Sequence, residues 1–368
     1  MMQIKAKTVL RNYNIFLKKG VFADAPFLIK SHISGFDKFI FITNKTISEI
    51  YSEQIKDFCQ KLGPDYEILC LEDGEEFKSF KSVESAYSTM IKHNFHRNDI
   101  VIAFGGGVIG DTAGYISATF HRGMKLVHIP TTIIGQVDSS IGGKVVVNFE
   151  GKKNMIGTFY QPHMIIIDPS FLESLDKKQI INGLGEIVKY GLIFDKNILV
   201  SLDKIVSQDN YTTENLIRYE NFTGLIHRCA FIKTKVVEKD EFDQSYRNLL
   251  NFGHTIGHSI ENLSGLRQVS HGQAISMGMI ASLEISMVLG YLSKKEMKRI
   301  KLLFKKFGLP FKISLDNVDK VIEELKYDKK FTGNSNRFIL LKGINRPFFN
   351  DGIKKEVIVN SINNCIDR

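Results

Sequence analysis

Five short runs, each almost wholly apolar, recur through the first half of the chain: Phe39-Ile-Phe-Ile-Thr43, Glu67-Ile-Leu-Cys-Leu71, Ile100-Val-Ile-Ala-Phe104, Leu126-Val-His-Ile-Pro130 and Met164-Ile-Ile-Ile-Asp168. A strand with one face in water alternates apolar and polar residues, whereas a run apolar on both faces is a parallel strand covered by helices on either side. Helical patterns separate the runs, so residues 1–170 are predicted to form an α/β, Rossmann-like domain around a parallel sheet. From about Pro169 the pattern changes to long segments of helical period: Lys178 to Phe194, Glu214 to Lys239, Arg247 to Leu263, Gly272 to Leu289 and Lys294 to Phe307. Residues 171–368 are therefore predicted as a mainly α-helical second domain, with one short strand at Arg337-Phe-Ile-Leu-Leu341.

At 368 residues the chain is long enough for two cores, and 43% hydrophobic with 24% charged residues is ordinary globular composition. It has no apolar run of about 18 residues, so no membrane span is expected. The start, Met-Met-Gln-Ile-Lys-Ala-Lys7, lacks the apolar block of a signal peptide. Cys59, Cys70, Cys229 and Cys365 are widely spaced and form no C-x-x-C pair, which points to a reducing, cytoplasmic setting. The net charge of +9 raises nucleic acid as a partner, but Lys and Arg are spread along the whole length without an arginine-rich tract. An anionic small substrate accounts for the sign as well, and no nucleic acid is expected.

Gly105-Gly-Gly107-Val108-Ile109-Gly110-Asp111 follows the third run and opens a helical pattern. In that context G-x-G-x-x-G lets backbone amides approach a pyrophosphate at a helix N-terminus. The same glycines also make a tight turn, and no acidic residue stands about 20 positions on to hold a ribose. Asp73, in Asp73-Gly-Glu-Glu76-Phe-Lys78, is the substitute candidate. Pro130-Thr131-Thr132 then leads to Gln-Val-Asp138-Ser-Ser-Ile-Gly-Gly143-Lys144 and Gly151-Lys-Lys153-Asn154, predicted as loop. Lysines beside glycine and serine suit phosphate, because backbone donors and a point charge converge there, although a solvated loop explains Lys152 better than Lys144.

In the second half, Arg247, Asn251, His254 and His258 fall at i, i+4, i+7 and i+11, one continuous helical face if the segment is a single helix. Four polar heads there make either a solvent face or a site. Gly253 and Gly257 favour the site, since each costs a helix about 1 kcal/mol and is easier to explain where something approaches the backbone closely. Glu186 and Lys189, at i, i+3, would alone be a routine surface pair. Taken with His254 and His271, Glu186 completes the three N or O ligands common at catalytic zinc, with His258 a fourth ligand or a substrate contact. His32, His93, His96, His121, His128, His163 and His227 lack such company, and ordinary roles are expected of them.

These motifs together resemble the 3-dehydroquinate synthase family over most of the chain, from about Phe39 to the Asp328-Lys-Lys330 segment. The most specific pieces are Gly-Gly-Gly-Val-Ile-Gly-Asp, Gln-Val-Asp-Ser-Ser-Ile-Gly-Gly-Lys, Glu-Ile-Val-Lys-Tyr-Gly and Leu-Asn-Phe-Gly-His-Thr-Ile-Gly-His with a later His-Gly. The resemblance implies a divalent metal, Zn2+ or Co2+, on Glu186, His254 and His271. It implies NAD held by Asn44, Asp73, Glu76, Lys78, Gly107 to Asp111, Thr131, Thr132, Lys144, Lys153, Phe171 and Ser174. Asp138, Lys144, Lys189, Lys233, Arg247, Asn251 and His258 match catalytic and substrate positions. Arg122, Lys144, Asn154 and one lysine of the Lys329-Lys330 pair, Lys330 by preference, match contacts to the substrate phosphate, Arg122 reaching across a homodimer interface. The implied reaction takes a seven-carbon 2-keto-3-deoxy acid phosphate through transient oxidation, phosphate elimination, hydride return, ring opening and aldol closure.

Two positions depart from the family's pattern. Gln273 stands where the family has Glu after the third ligand's His-Gly, and Asp243 where it has Glu four residues before Arg247. Both are expected near substrate, and they leave room for a sister sugar-phosphate cyclase, although Arg247, Asn251 and His258 keep the dehydroquinate synthase form. A metal-dependent polyol dehydrogenase is the more distant rival, and it would need neither Lys144 nor the carboxylate clamp of Arg247 and Lys233.

Overall fold

A computed structural model describes residues 1–208, 211–312, 320, 321, 323 and 337–365. Its contacts divide the chain into two units, Met1–Leu175 with Ile226–Phe242, and Asp176–Leu225 with Asp243–Arg368. The segment 226–242, expected in the second half, thus belongs to the first unit.

The first unit is built on a seven-stranded sheet. Its strands are β1 (Met2–Ala6), β2 (Tyr13–Leu17), β3 (Phe39–Asn44), β4 (Tyr66–Leu71), β5 (Ile100–Gly105), β6 (Lys125–Pro130) and, after a separate hairpin of β7 (Lys144–Phe149) with β8 (Lys152–Phe159), β9 (Met164–Ile167). The spatial order is β1-β2-β9-β6-β5-β3-β4, parallel throughout except where β1 runs against β2. All five apolar runs are strands, and β3, β5, β6 and β9 are buried almost from end to end.

Helices α1 (Ala25–His32), α2 (Lys45–Ile50), α3 (Ser52–Leu62), α4 (Phe80–Lys92) and α5 (Gly107–Thr119) belong to the unit, as does most of a later helix, α8 (Glu220–Lys239). One face of the sheet packs Phe41, Phe104 and Ile166 against Phe22, Ile29 and Phe58, and the other packs Ile40, Val101 and Leu126 against Val83, Ile109 and Ile116. Each such side chain contributes about 1.5–3 kcal/mol on leaving water, which is why both faces read as apolar in sequence. Strand order reverses between β3 and β5, since β4 lies beyond β3 while β6 lies beyond β5. At such a switch point the carboxyl ends of the strands diverge and leave a crevice, here bordered by Asn44 and Gly105.

The second unit is mainly helical, with α6 (Lys177–Ile193), α7 (Lys196–Val206), the start of α8 (Glu220–Lys239), α9 (His254–Gln268), α10 (His271–Val288), α11 (Lys294–Lys306), the hairpin β10 (Arg337–Leu341) with β11 (Pro347–Asp351), and α12 (Lys355–Asn363). The predicted single helix from Arg247 to Leu263 is two pieces: a 3-10 turn over Tyr246–Asn251, then α9. Gly253, at φ +79, breaks the path; a Cβ there would lie 2.6 Å from Met279 Cγ and 2.9 Å from the Ile275 carbonyl on α10. Gly257 also meets α10, so what approaches these glycines is a neighbouring helix. Among the described residues no helix is long and apolar enough to cross a membrane.

Candidate metal centre and cofactor site

Glu186 and Lys189 both lie on α6 at 1% exposure, which overturns the surface-pair reading. The Lys189 ammonium pairs with Glu186 Oε2. Glu186 Oε1 stands 3.7 Å from His254 Nε2 and 3.6 Å from His271 Nε2, and the three ligand atoms lie within 4.8 Å of one another. Two glycines next to the ligands bring their helices this close. Gly185, before Glu186, and Gly272, after His271, face each other: a Cβ on Gly272 would fall 1.9 Å from the Asn182 carbonyl, and one on Gly185 2.6 Å from the Gly272 carbonyl. Asn182 Oδ1 also accepts from Gly272 N at 2.6 Å, pinning the first turn of α10 to α6.

The two imidazoles are set differently. His254 Nδ1 donates to the Phe252 carbonyl at 3.2 Å, leaving Nε2 with its lone pair toward Glu186. Burial, then the Lys189 ammonium and the neighbouring imidazoles, holds His254 well below the usual histidine range, so it is neutral. Burial also opposes charge on His271, but its hydrogen bonds to the Glu186 and Glu261 carboxylates outweigh it and carry the group up to about 9. The two carboxylates favour positive charge at His271, and a neutral imidazole, a carboxylate and a second imidazole that a cation would deprotonate are the donors a divalent metal takes. The residues present fit such an ion.

Glu261 was not singled out from sequence. Its Oε2 lies 3.1 Å from His271 Nδ1, the carboxylate–histidine arrangement that fixes a ligand's ring and tautomer. The signal was available, because His254, His258 and Glu261 fall at i, i+4, i+7 on α9. His258 is exposed, its ring centroid 5.3 Å from that of His254 and 6.1 Å from that of His271, so the predicted i, i+4 pair is brought together. Arg247 is buried on the 3-10 turn, as is its neighbour Leu250, while Asn251 Nδ2 donates to Asn248 at 3.3 Å. These two do not continue the α9 face, for the reason given at Gly253. Gln273 completes a capping box, its Oε1 accepting from Ser270 N at 3.0 Å and Ser270 Oγ at 3.1 Å. Lys329 and Lys330 lie outside the described residues.

In the first unit, α5 begins where β5 ends, so Gly107, Val108, Ile109 and Gly110 form its opening turn, followed by Asp111. A Cβ on Gly106 would meet the Thr132 methyl at 3.0 Å, leaving bare backbone beside Thr131 and Thr132, a cradle into which a pyrophosphate fits. A Cβ on Gly110 would lie 3.6 Å from the buried His128 ring on β6, so this glycine also serves helix–strand packing. Asn44 donates to Asp73, which also accepts from Thr46 N at 3.1 Å, while Glu76 folds back over Gly74. Lys78, 4% exposed, bridges Asp111 at 2.6 Å and Asn154; burial pushes Asp111 up to about 6 against that ammonium. Phe171 spends its ring on the core, edge-on to Phe104 and Tyr51, and Ser174 Oγ donates to the Phe171 carbonyl at 2.9 Å.

The stretch predicted as loop is ordered. Asp138 lies in a π-helical turn over Gly135–Ser139 and pairs with Lys233 of α8 at 2.7 Å. Lys144 opens β7, and Lys153 and Asn154 lie on β8; the hairpin was hidden because most of its β8 side chains face water. Arg122 ends a 3-10 turn at φ +61, exposed, beside a basic cavity of about 310 Å3 lined also by Arg11, Arg97 and His163. Its guanidinium makes no hydrogen bond or ion pair among the described residues.

A glycine-opened helix at a switch point in one unit and a carboxylate–imidazole cluster in the other define a class, the metal- and dinucleotide-dependent enzymes. Within that class the chain belongs to the 3-dehydroquinate synthase family. The family's N-terminal model matches residues 68–182 and its C-terminal model residues 183–331. The 3-dehydroquinate synthase of Clostridium beijerinckii is 36% identical over 338 residues, 92% of this chain and 94% of the relative; that of Streptococcus pneumoniae is 37% identical over 340 residues, with the same coverage. Among solved structures, 2-deoxy-scyllo-inosose synthase, complexed with carbaglucose-6-phosphate, NAD+ and Co2+, superposes with a TM-score of 0.87 at 25% identity, covering 99% of this chain and 100% of that one.

Proposed function

We propose that this chain converts 3-deoxy-D-arabino-heptulosonate 7-phosphate to 3-dehydroquinate and phosphate, a carbon–oxygen lyase step of the shikimate route to aromatic amino acids, acting in the cytoplasm as a homodimer. The observation that carries this reading is the buried cluster of Glu186, His254 and His271, which would hold Zn2+ or Co2+. Asn44, Asp73, Thr131, Thr132 and the first turn of α5 would hold NAD. When bound, NAD accepts and returns a hydride, and the metal polarises substrate hydroxyl oxygens as a Lewis acid.

The chain's own groups then have separable tasks. Arg247 presents a planar fork suited to the substrate carboxylate, and Lys233, held by Asp138, adds a point charge. Lys144 and Asn154 would hold the phosphate, with Arg122 of a second copy; an exposed guanidinium with no hydrogen bond or ion pair among the described residues supports that use. Lys189 keeps the Glu186 carboxylate oriented. The test is to incubate purified protein with NAD, a divalent metal and the heptulosonate phosphate while following phosphate and dehydroquinate. Both should form together without net NADH. NADH rising in step with product would make the chain a dehydrogenase, and a monomeric mass by light scattering would remove the role of Arg122.

A further inference from the structure

One buried carboxylate, Glu241, connects three stretches of the first unit that are far apart in sequence. It lies two residues past the end of α8 and is 5% exposed. Its Oε1 accepts from Gln161 Nε2 at 2.7 Å, and its Oε2 accepts from the main-chain amides of Val9 and Leu10. Gln161 is itself buried and precedes Pro162, a neighbour that restricts it toward extended backbone. Its amide lies flat against Gly143: a Cβ on that glycine would come 2.8 Å from Gln161 Cδ and 3.0 Å from both amide heteroatoms. Gly142 and Gly143 both take left-handed backbone, at φ +102 and +69, and Gly143 passes the chain directly to Lys144.

The same segment holds the hairpin's base a second way. The ring of Phe242 stands edge-on to Phe159 at 5.5 Å, and Phe159 is the cross-strand partner of Lys144. The Tyr160 amide donates to the Gly143 carbonyl at 2.7 Å. Eight residues before Glu241, Lys233 holds Asp138, whose carbonyl accepts from Ile141 N at 3.0 Å. Both ends of the turn between Asp138 and Lys144 are thus tied to the stretch from Lys233 to Phe242.

We propose that Glu241, acting through Gln161, is a positioning residue that fixes the Gly142–Gly143 turn and thereby the placement of Lys144 toward the substrate's phosphate. The proposal rests on the phosphate role given to Lys144 above, but the turn's rigidity can be read without it. The physical requirement is donor against acceptor at one buried contact, and that can be reversed by exchange.

Gln161→Glu sets two carboxylates against each other. It should raise KM for the heptulosonate phosphate about tenfold, the size of one lost charge-assisted hydrogen bond, with kcat, NAD affinity and metal content little changed. Amide hydrogen exchange should quicken over residues 141–146 and stay unaltered in β5. Glu241→Gln alone should be mild, since the Gln161 amide turns over to present its oxygen. Combining the two exchanges restores donor and acceptor and should return KM and exchange to within about twofold of the parent. Should Gln161→Glu not fold, Gln161→Met removes the donor while keeping the stem and should shift both readings the same way. Parent-like KM and exchange in Gln161→Glu or Gln161→Met, failure of the double variant to recover, or quickened exchange across the whole unit would each overturn the proposal. Lys144→Ala is the separate control: if it leaves KM unchanged, the phosphate role of Lys144 is wrong, and localised exchange with its recovery in the double variant decides the positioning of the turn.

Discussion

Glu261 and Glu186 address opposite nitrogens of one ring, the carboxylate of Glu261 at 3.1 Å from His271 Nδ1 and that of Glu186 at 3.6 Å from Nε2. The imidazole is therefore gripped from behind by a residue ten positions earlier in the chain. That grip sets which nitrogen is free to face a cation.

The first prediction follows from it. Glu261→Ala should leave the fold intact and lower affinity for Zn2+ or Co2+ by about 10- to 100-fold, the usual cost of losing a hydrogen-bond partner behind a ligand. Titration with a competing chelator measures this without any turnover. His271→Ala should abolish tight binding altogether, and equal affinities for the two variants would show that Glu261 and His271 do not act as ligand and support.

The glycine contact between α6 and α10 gives the second. Gly272→Ala drives a methyl into the Asn182 carbonyl, 1.9 Å away, so helices carrying Glu186 and His271 must separate. Chemical denaturation should show a loss of about 1–3 kcal/mol, typical of overpacking, and metal content should fall with it. Gly224→Ala on α8, where a Cβ meets nothing within 4 Å and the backbone is not left-handed, is the control for a glycine whose space is open, and its metal content should be unchanged.

Arg247 gives the third. A buried guanidinium paired with a carboxylate is difficult for an ammonium to reproduce. Arg247→Lys should retain metal and NAD while kcat/KM for the heptulosonate phosphate drops by roughly 2–4 kcal/mol equivalent, the cost of truncating one partner of a buried charge pair. Unchanged kcat/KM would remove the carboxylate role and favour a sister cyclase with a substrate lacking that group.

His128 supplies a pH prediction. Burial lowers this histidine from 6.5 to about 4. Between those values the unfolded chain binds more protons than the folded one, so stability rises with pH across this window and the full contribution is present above about pH 6.5. As pH falls to about 4 the fold should lose on the order of 3 kcal/mol from this residue. His163 is lowered too, to about 3, by burial and then Arg11, so the measurement is the difference between parent and His128→Gln in urea unfolding at several pH values. Parallel curves would show that His128 is not buried neutral.

What could be read from the sequence depended on how many faces of an element are buried. β5 is apolar at every position because both its faces are covered, and it was legible; the hairpin of β7 and β8 carries polar side chains into water and passed for loop. β1 alternates around Gln3 and Lys5 and offered only five residues of pattern. At Gly253 the polar period runs on through a backbone break, because periodicity records side-chain spacing and is blind to a left-handed residue that α10 imposes. The metal ligands carried a motif, whereas the contacts that hold them in place, Gly185 on Gly272 and Glu261 on His271, join distant positions and become visible only in three dimensions.

The segment 226–242 belongs to the first unit although 50 residues of the second precede it. During synthesis the first 175 residues leave the ribosome with Asp138 lacking the Lys233 ammonium and Gln161 lacking its carboxylate acceptor. The first contact can close only after residue 233 has emerged and the second only after residue 241, by which time α6 and α7 are already outside. A gene fragment ending at Leu175 would thus encode the sheet without the strap that completes it, and a separately expressible first unit must carry residues 226–242 spliced on behind a linker.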